Sequence, residues 1–303
     1  MTFIGEFLAV GSLLLFSANA LVVGPAARRL SKDLGILLGL TSNVVLGAIV
    51  VAGLYVLTGP SAPLEWDAVG MFAVGGLLTS YLGRWFYTRS LLSIGPTRAS
   101  AVQLTNPFFA AVAGWVLLGE TLGPVAVLCG LAVLAGVYLT SRRTGAGRAI
   151  GSGIGHRALS PAQLGPGVLG AVAYGLGNVA RGAGVRDWEA PIVGSLIGAV
   201  AGLLAYALVN TDLRKLAGSL RGADRVGRRM WLLSGFLSIG AQTCLIAATL
   251  YIPVAIAVVI SVATPVVLLP VSVLFLRRTE AVGVSTAVGA LLVLAGVAGL
   301  VLS

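Results

Sequence analysis

Apolar residues fill ten runs of about 20 positions, and shorter segments that carry charges, glycine or proline separate these runs. At 1.5 Å of rise per residue, a helix of about 20 residues crosses the ~30 Å hydrocarbon core of a bilayer. The pattern therefore predicts an all-α polytopic membrane protein of ten transmembrane helices. The predicted spans are 3–24, 35–58, 69–92, 97–118, 122–140, 164–183, 190–210, 231–250, 253–276 and 281–302.

The composition also indicates a membrane protein. Of the 303 residues, 57% are hydrophobic and 10% are charged, whereas a soluble domain has about 25% charged residues. The net charge of +10 does not indicate a nucleic-acid partner, because the basic residues lie between the apolar runs. Cys129 and Cys244 lie inside apolar runs, and His156 lies in a Gly-rich loop. We therefore expect no disulfide, metal site or cofactor, and we place the chain in the cell (plasma) membrane as a multi-pass protein.

Positive charge is divided unevenly between the two predicted faces of the membrane. Of the 20 lysines and arginines, all but Arg181 and Arg186 lie in or towards the loops that follow the odd-numbered spans, and Arg84 is the deepest of them. Under the positive-inside rule this basic face is cytoplasmic, which predicts that both termini lie outside. We expect Arg181 at the outer mouth and Glu6 in solvent near the outer interface.

Three features recur at nearly the same offset, which predicts an internal duplication. Asn19 and Asn178 are 159 residues apart, Pro107 and Pro265 are 158 apart, and Val-Leu-Ala-Gly-Val begins at Val133 and again 160 residues later. Each copy would hold five helices, an odd number, so the second copy would be inverted in the membrane relative to the first. Many secondary transporters are inverted repeats with a substrate site near the midplane. The predicted units are a first repeat over 1–141, a basic Gly-rich cytoplasmic linker over 142–163 and a second repeat over 164–303.

The third span carries the clearest candidate for a binding surface. Tyr81, Arg84, Trp85 and Thr88 recur at helical spacing and so share one face, which Tyr87 borders. A guanidinium among aromatic rings can donate to a carboxylate or phosphate while the rings hold an apolar body. In the alternative interpretation, Arg84 reaches the cytoplasmic interface along its own stem and the rings form an interfacial belt.

Two prolines inside predicted spans lie next to further polar residues. Pro107 in the fourth span follows Asn106 and shares a face with Gln103, and Thr264 precedes Pro265 in the ninth. We expect a helix kink at each proline, and the carbonyl that a proline frees is tolerated in lipid where it lines a cavity. The alternatives are that the kinks serve packing and that polar groups tie helices together. The remaining candidates are Asn19 in the first span, Tyr174 and Asn178 in the sixth, and Gln242 in the eighth.

A family resemblance rests on the segment PTRASAVQLTNPFFAAVAGWVLLGETLGPVAVLCGLAVLAGVYL. It resembles the end of an EamA domain of the drug/metabolite transporter superfamily, with a mid-helix proline at Pro107, Leu118-Gly119-Glu120 and a Gly-rich final helix. The resemblance implies a ten-helix carrier that works by alternating access. The second copy is looser and has Arg278-Thr279-Glu280 in place of Leu-Gly-Glu.

We therefore expect a secondary transporter that moves a small organic solute through a central cavity. The solute classes that fit are an anion, an amino-acid-like metabolite and a drug. The alternative is a channel or a translocator of lipid-linked substrates. A membrane enzyme is disfavoured because no nucleophile and base or acidic pair lies in mid-membrane, and Glu120 and Glu280 are expected to be boundary residues. The expected partners are the solute and the bilayer, with a homodimer as a further option because glycines recur at Gly194, Gly198 and Gly202.

Overall fold

Helices account for the secondary structure throughout the part of the chain that the computed structural model describes. That part comprises residues 2–59, 63–94, 99, 102–144, 161–209, 218–219, 222–264, 266–268 and 284–302. The prediction of an all-α protein is confirmed over these residues, and ten helices fit the ten predicted spans. The predicted linker lies outside the described residues between 145 and 160.

We number the helices in chain order. Each predicted span overlaps one of them. Most ends differ by six residues or fewer, but the fourth helix begins nine residues later than predicted and the ninth ends 15 residues earlier. The helices are α1 (Thr2–Ala26), α2 (Lys32–Thr58), α3 (Trp66–Gly76, continued by a π-helical segment Leu77–Gly83 and by Arg84–Ile94), α4 (Asn106–Leu118), α5 (Pro124–Thr144), α6 (Pro161–Asp187), α7 (Pro191–Val209), α8 (Arg225–Ala248), α9 (Val254–Ser261) and α10 (Val284–Leu302).

Apolar residues cover the outside of this bundle. Four helices, α1, α2, α7 and α8, are each long and apolar enough to cross a membrane, and shorter apolar stretches lie in α4, α5, α9 and α10. Large side chains such as Phe7, Leu57 and Trp115 are more than half exposed. A water-soluble monomer rarely exposes so much apolar surface. This surface is the one that lipid would cover in an integral membrane protein.

Three helix pairs form the most extensive contacts: α1 with α8, α3 with α6, and α5 with α10. Helices α2 and α7 also pack together, as do α4 and α9. Small residues allow the backbones to approach closely, because association of helices in lipid depends on tight packing. A Cβ atom on Gly76 of α3, for example, would overlap the backbone of Gly198 in α7.

The two ends of the bundle carry different charges. At one end, α1 ends, α2 and α8 begin and α7 ends, and Arg29 forms an ion pair of 3.1 Å with Asp224. Tyr206 near the end of α7 donates to the carbonyl oxygen of Asp33 in α2, at 3.2 Å. We call this the basic end, because the arginines next to α1, α3, α5 and α8 lie there. The opposite, acidic end contains Glu120.

The fourth span departs from the prediction of a helix kinked in its middle. The chain turns at Leu104 and Thr105, and α4 begins at Asn106 with Pro107 in its first turn. Proline is well placed there, because the first turn leaves N–H groups without helical partners. In the ninth span, α9 ends at Ser261 and a turn follows, whereas Pro265 lies outside the described residues.

Glu6 also differs from its expected position. Its side chain is only 5% exposed, and its Oε2 atom has no hydrogen-bond partner among the described residues. The adjacent Gly5 packs closely against Tyr251 and Ile252, so that a Cβ on Gly5 would lie 2.8 Å from each. The expectation of a solvated Glu6 was therefore wrong, because the end of α8 and the following turn cover the start of α1.

Candidate functional site

A cavity of about 240 Å³ lies between α2, α3 and α7. It extends from the basic end, where Asp33 and Val209 lie, to Ser80, which is near the middle of α3. The predicted face of the third span forms one wall of this cavity, with Tyr81, Arg84 and Trp85 among its residues. The lining residues are Asp33, Ile36, Ser80, Tyr81, Arg84, Trp85, Thr88, Tyr206 and Val209.

One guanidinium group on this side of α3 packs against an aromatic ring. Arg89 stacks over the ring of Trp85 with 4.2 Å between its Cζ and the ring centroid, and Trp85 meets Phe86 edge to face at 4.9 Å. Arg89 lies towards the basic end and Arg84 lies more than one turn deeper. Arg89 is exposed, whereas Arg84 is half-buried in the wall of the cavity.

Tyr174 of α6 connects this wall to the interior of the bundle. Its ring lies against α3, where a Cβ on Gly83 would be 2.9 Å from it. Gly83 directly precedes Arg84, and a Cβ on Gly170, one turn before Tyr174 on α6, would lie 3.2 Å from the backbone nitrogen of Tyr87. Three predicted candidates, Tyr174, Arg84 and Tyr87, thus lie along the contact between α3 and α6.

Arg181 is buried in the middle of the helices, with 4% of its surface exposed. Its guanidinium donates to Oε1 of Gln242 in α8 and, at 3.5 Å, to Oγ of Ser80 in α3. The expected position at the outer mouth was therefore wrong. Helix α6 continues to Asp187, beyond the predicted end of the span, and the long side chain of Arg181 extends back towards mid-depth.

Glycines make room for this guanidinium. A Cβ on Gly75 of α3 would lie 2.5 Å from Cγ of Arg181, and one on Gly198 of α7 would lie 3.2 Å from its Nη2. The π-helical segment begins just beyond these contacts, where the hydroxyl of Thr79 donates to the carbonyl oxygen of Gly75, at 2.8 Å. Such back-bonding competes with the helical ladder, and π-helical turns are frequent at functional sites.

Gln103 and Asn106 lie at the contact between α4 and α6. A Cβ on Gly170 would be 3.5 Å from Oε1 of Gln103 and 3.2 Å from the backbone nitrogen of Tyr87. Oε1 of Gln103 and Oδ1 of Asn106 are buried without a hydrogen-bond partner among the described residues. These two candidates therefore lie beside the polar face of α3, and Asn106 also touches Gly175 through its carbonyl oxygen.

The other candidates have local or helix-tying contacts. Asn19 of α1 accepts a hydrogen bond of 2.7 Å from Ser234 of α8. Thr264 donates to the carbonyl oxygen of Ser261, at 3.3 Å, within its own segment. Asn178 is half-buried on α6, one turn before Arg181. The structure does not bring Asn19 or Thr264 to the cavity.

Glu120 closes the acidic end of the bundle. Both of its carboxylate oxygens accept from the backbone N–H of Val254, at 3.0 and 3.1 Å, and the side chain forms an ion pair with Arg186. Val254 is the first residue of α9, where a carboxylate is stabilised by the free N–H groups. The preceding Gly119 has φ +66°, the left-handed conformation that ends α4 and directs Glu120 towards α9. Glu280 lies outside the described residues.

Sequence reasoning did not select Arg181, Ser80, Asp33 or Tyr206 for the site. A signal existed for Arg181, because it continues the stripe that Tyr174 and Asn178 form on α6. Across the described ranges, no group of three or more His, Cys, Asp or Glu side chains is placed to hold a metal. The polar groups of the site are suited to hydrogen bonding and charge pairing with a solute.

The fold and the site together define a helical integral membrane protein with polar groups inside an apolar bundle. Residues 3–142 match the EamA-like transporter family, which belongs to the drug/metabolite transporter superfamily. This part of the chain is thus similar to an EamA-like domain, and the members of that family are membrane transporters of small solutes. A protein of known crystal structure has a similar fold, with a TM-score of 0.67 and 21% identity over 97% of this chain and 95% of the other. No curated protein sequence matches this chain significantly.

Proposed function

We propose that the protein is a secondary transporter that moves a small organic solute by alternating access. The observation that carries this proposal is the cavity of about 240 Å³, which leads from the basic end to Ser80 and so to the buried Arg181. At the acidic end, the contacts of Glu120 with Arg186 and Val254 close the bundle. A site open towards one end and closed towards the other is what alternating access requires of each state.

An inverted repeat accounts for the contact between α5 and α10. A Cβ on Gly136 would lie 2.7 Å from Val293, and one on Gly296 would lie 2.7 Å from Val133. These residues belong to the two copies of Val-Leu-Ala-Gly-Val, so the first valine of each copy packs against the glycine of the other copy. Such reciprocal contacts arise when equivalent helices run antiparallel about a pseudo-two-fold axis, and they support the units 1–141 and 164–303.

The other helix pairs support the same relation. A Cβ on Gly11 in α1 would lie 3.8 Å from Sγ of Cys244 in α8. Gly170 in α6 lies 159 residues after Gly11, and Phe86 in α3 lies 158 residues before Cys244. A Cβ on Gly170 would lie 3.4 Å from Cβ of Phe86. The α1–α8 and α3–α6 interfaces therefore have equivalent registers.

The turns that precede the paired prolines match as well. The N–H of Thr105 donates to Val102, at 3.0 Å, and the N–H of Ala263 donates to Ile260, at 3.2 Å. Each residue of the second pair lies 158 positions after its counterpart. The proposed repeat thus extends to the backbone hydrogen bonds of these two turns.

The charge difference between the ends supports a cytoplasmic basic end and external termini. The cavity would then open to the cytoplasm. A reporter fused after Ser303 tests this orientation: an enzyme active only in the periplasm or outside the cell should give the signal. A signal from a reporter active only in the cytoplasm would reverse the assignment.

The solute-binding residues that we propose are those near the cavity and Tyr174. Arg84 supplies donors for an acidic group, and the rings of Tyr81 and Trp85 offer an apolar surface. The cavity is slightly smaller than typical pockets of about 300–1,000 Å³, which favours a small solute. Asp33 at the mouth would also suit the amine of an amino-acid-like compound. The proposed set is Tyr81, Arg84, Trp85, Tyr87, Tyr174 and Gln242.

Uptake into proteoliposomes tests this function. Purified protein should catalyse saturable uptake and counterflow of at least one compound in a panel of metabolites and drug-like solutes. Replacing Arg84→Gln should raise the KM for an acidic solute about tenfold, equivalent to 1.4 kcal/mol. Arg225→Gln, at an exposed arginine of the basic end, is the matched control. Single-channel currents without counterflow would instead establish a pore.

A further inference from the structure

Arg181 is a buried positive charge that contacts only neutral acceptors. Its guanidinium donates to the amide oxygen of Gln242 and the hydroxyl of Ser80, and its Nε has no hydrogen-bond partner among the described residues. Neither of the ion pairs found in the described part of the chain includes Arg181. The guanidinium therefore retains an unused donor and an unneutralised charge in the interior of an apolar bundle.

Burying such a charge is costly. The effective penalty is several kcal/mol for an ion removed from water, unless a counter-charge and hydrogen bonds offset it. Arginines inside membranes accordingly tend to lie on the pathways of substrates or ions. Arg181 fits here because positions 75 and 198 are glycines, whose missing side chains leave room for it. The described residues around Arg181 supply no counter-charge.

Arg84 provides a second guanidinium nearby. Ser80 connects the two arginines: it lines the cavity with Arg84, which lies about one turn further along α3, and its hydroxyl accepts a hydrogen bond from Arg181. An anion at this end of the cavity would take the place of the Ser80 hydroxyl as the acceptor for Arg181.

We propose that Arg181 and Arg84 together bind the carboxylate of a small organic anion at the mid-bundle end of the cavity. This site rests on the proposed transport function and specifies its substrate class. Paired guanidinium groups offer several charge-assisted hydrogen bonds to one carboxylate. Tyr81 and Trp85 hold the apolar part of the solute, and Gln242 and Ser80 hold Arg181 when the site is empty.

The test compares carboxylates with their uncharged amides on the purified full-length protein. Benzoate and phenylacetate should raise the melting temperature and show saturable binding, whereas benzamide and phenylacetamide should not. Gln242→Glu places a carboxylate beside Arg181 with almost no change in shape. This variant should fold and bind the two carboxylates at least about tenfold more weakly. Gln163→Glu, about 27 Å from Arg181 along α6 at helical rise, is the matched control and should bind like wild type.

Arg181→Gln provides a second variant and should weaken carboxylate binding at least as much. Should both variants bind benzoate and phenylacetate with wild-type affinity, or should the amides bind as well as the acids, the anion site is overturned. Saturable counterflow of a neutral solute would then leave the transporter proposal intact. If Arg181-dependent binding is found without any saturable transport, the anion site stands and the transport function is contradicted.

Discussion

Under the proposed inverted repeat, the α3–α6 and α1–α8 interfaces correspond to each other, but they differ in charge. Between α3 and α6 lie Arg84, Arg181 and Tyr174, next to a cavity. Between α1 and α8, the position equivalent to Arg84 is Gln242, and a neutral hydrogen bond joins Asn19 to Ser234. The two interfaces pack in a similar way, but only one of them contains arginines at the equivalent positions. Helix packing alone therefore does not require the arginines. This difference supports the proposal that the solute binds beside α3 and α6, whereas Asn19 and Ser234 hold α1 and α8 together.

Exchanging residues of α3 and α8 that the proposed repeat makes equivalent should have the largest effect. Gly76 of α3 corresponds to Ser234 of α8, and a Cβ on Gly76 would overlap the backbone of Gly198. Gly76→Ser should therefore destabilise the protein by about 1–3 kcal/mol or more, as overpacking does. Ser234→Gly, the reverse exchange, removes one hydrogen bond and introduces a helical glycine, and should cost about 1 kcal/mol. Melting temperatures in detergent measure both, and equal losses would contradict the account.

Breaking the closure of the acidic end should have the next largest effect. Glu120→Ala leaves Arg186 and the N–H of Val254 without their shared acceptor, which should cost about 1–3 kcal/mol. The same measurement on Glu189→Ala, at an exposed glutamate of this end, should show a change within about 0.5 kcal/mol. If the two variants melt alike, Glu120 does not hold α9.

Removing the carboxylate of Asp224 at the basic end should have the smallest effect on stability. Hydrogen bonds from the N–H of Gly227 and from Arg29 lower the pKa of Asp224 below its usual value. A depressed folded-state pKa means that this carboxylate contributes stability above the unfolded-state pKa and loses that contribution as pH falls through the lower, folded-state value. Wild type should melt slightly higher than Asp224→Asn at pH 7, and the difference should begin to shrink near pH 4 and vanish below the lowered folded-state pKa. A difference that persists at lower pH would contradict the assignment.

Several features could be predicted from the sequence because they depend on local patterns. Apolar runs located the helices, and helical spacing placed Tyr81, Arg84 and Trp85 on one face, where the structure has a cavity. The depth of Arg181 could not be predicted in this way. The depth of Arg181 depends on its contacts with Gly75 of α3 and Gly198 of α7. A helical wheel of α6 alone shows neither contact.

The same limit explains the errors at Glu6 and Pro107. Glu6 is covered by the turn after α8, which is distant in sequence. Pro107 was expected within a kinked helix, but the residues before it form a turn and the proline starts a new helix. A proline fixes a break in the helical hydrogen bonds, and tertiary contacts decide whether the chain kinks or stops.

A structure of the protein with phenylacetate bound tests the central claim most directly. The account predicts density for the carboxylate within hydrogen-bonding distance of Arg84 or Arg181, on the side of Ser80 that faces the cavity. Density at the α1–α8 interface beside Asn19, or only on the lipid-facing surface near Phe108, would contradict it.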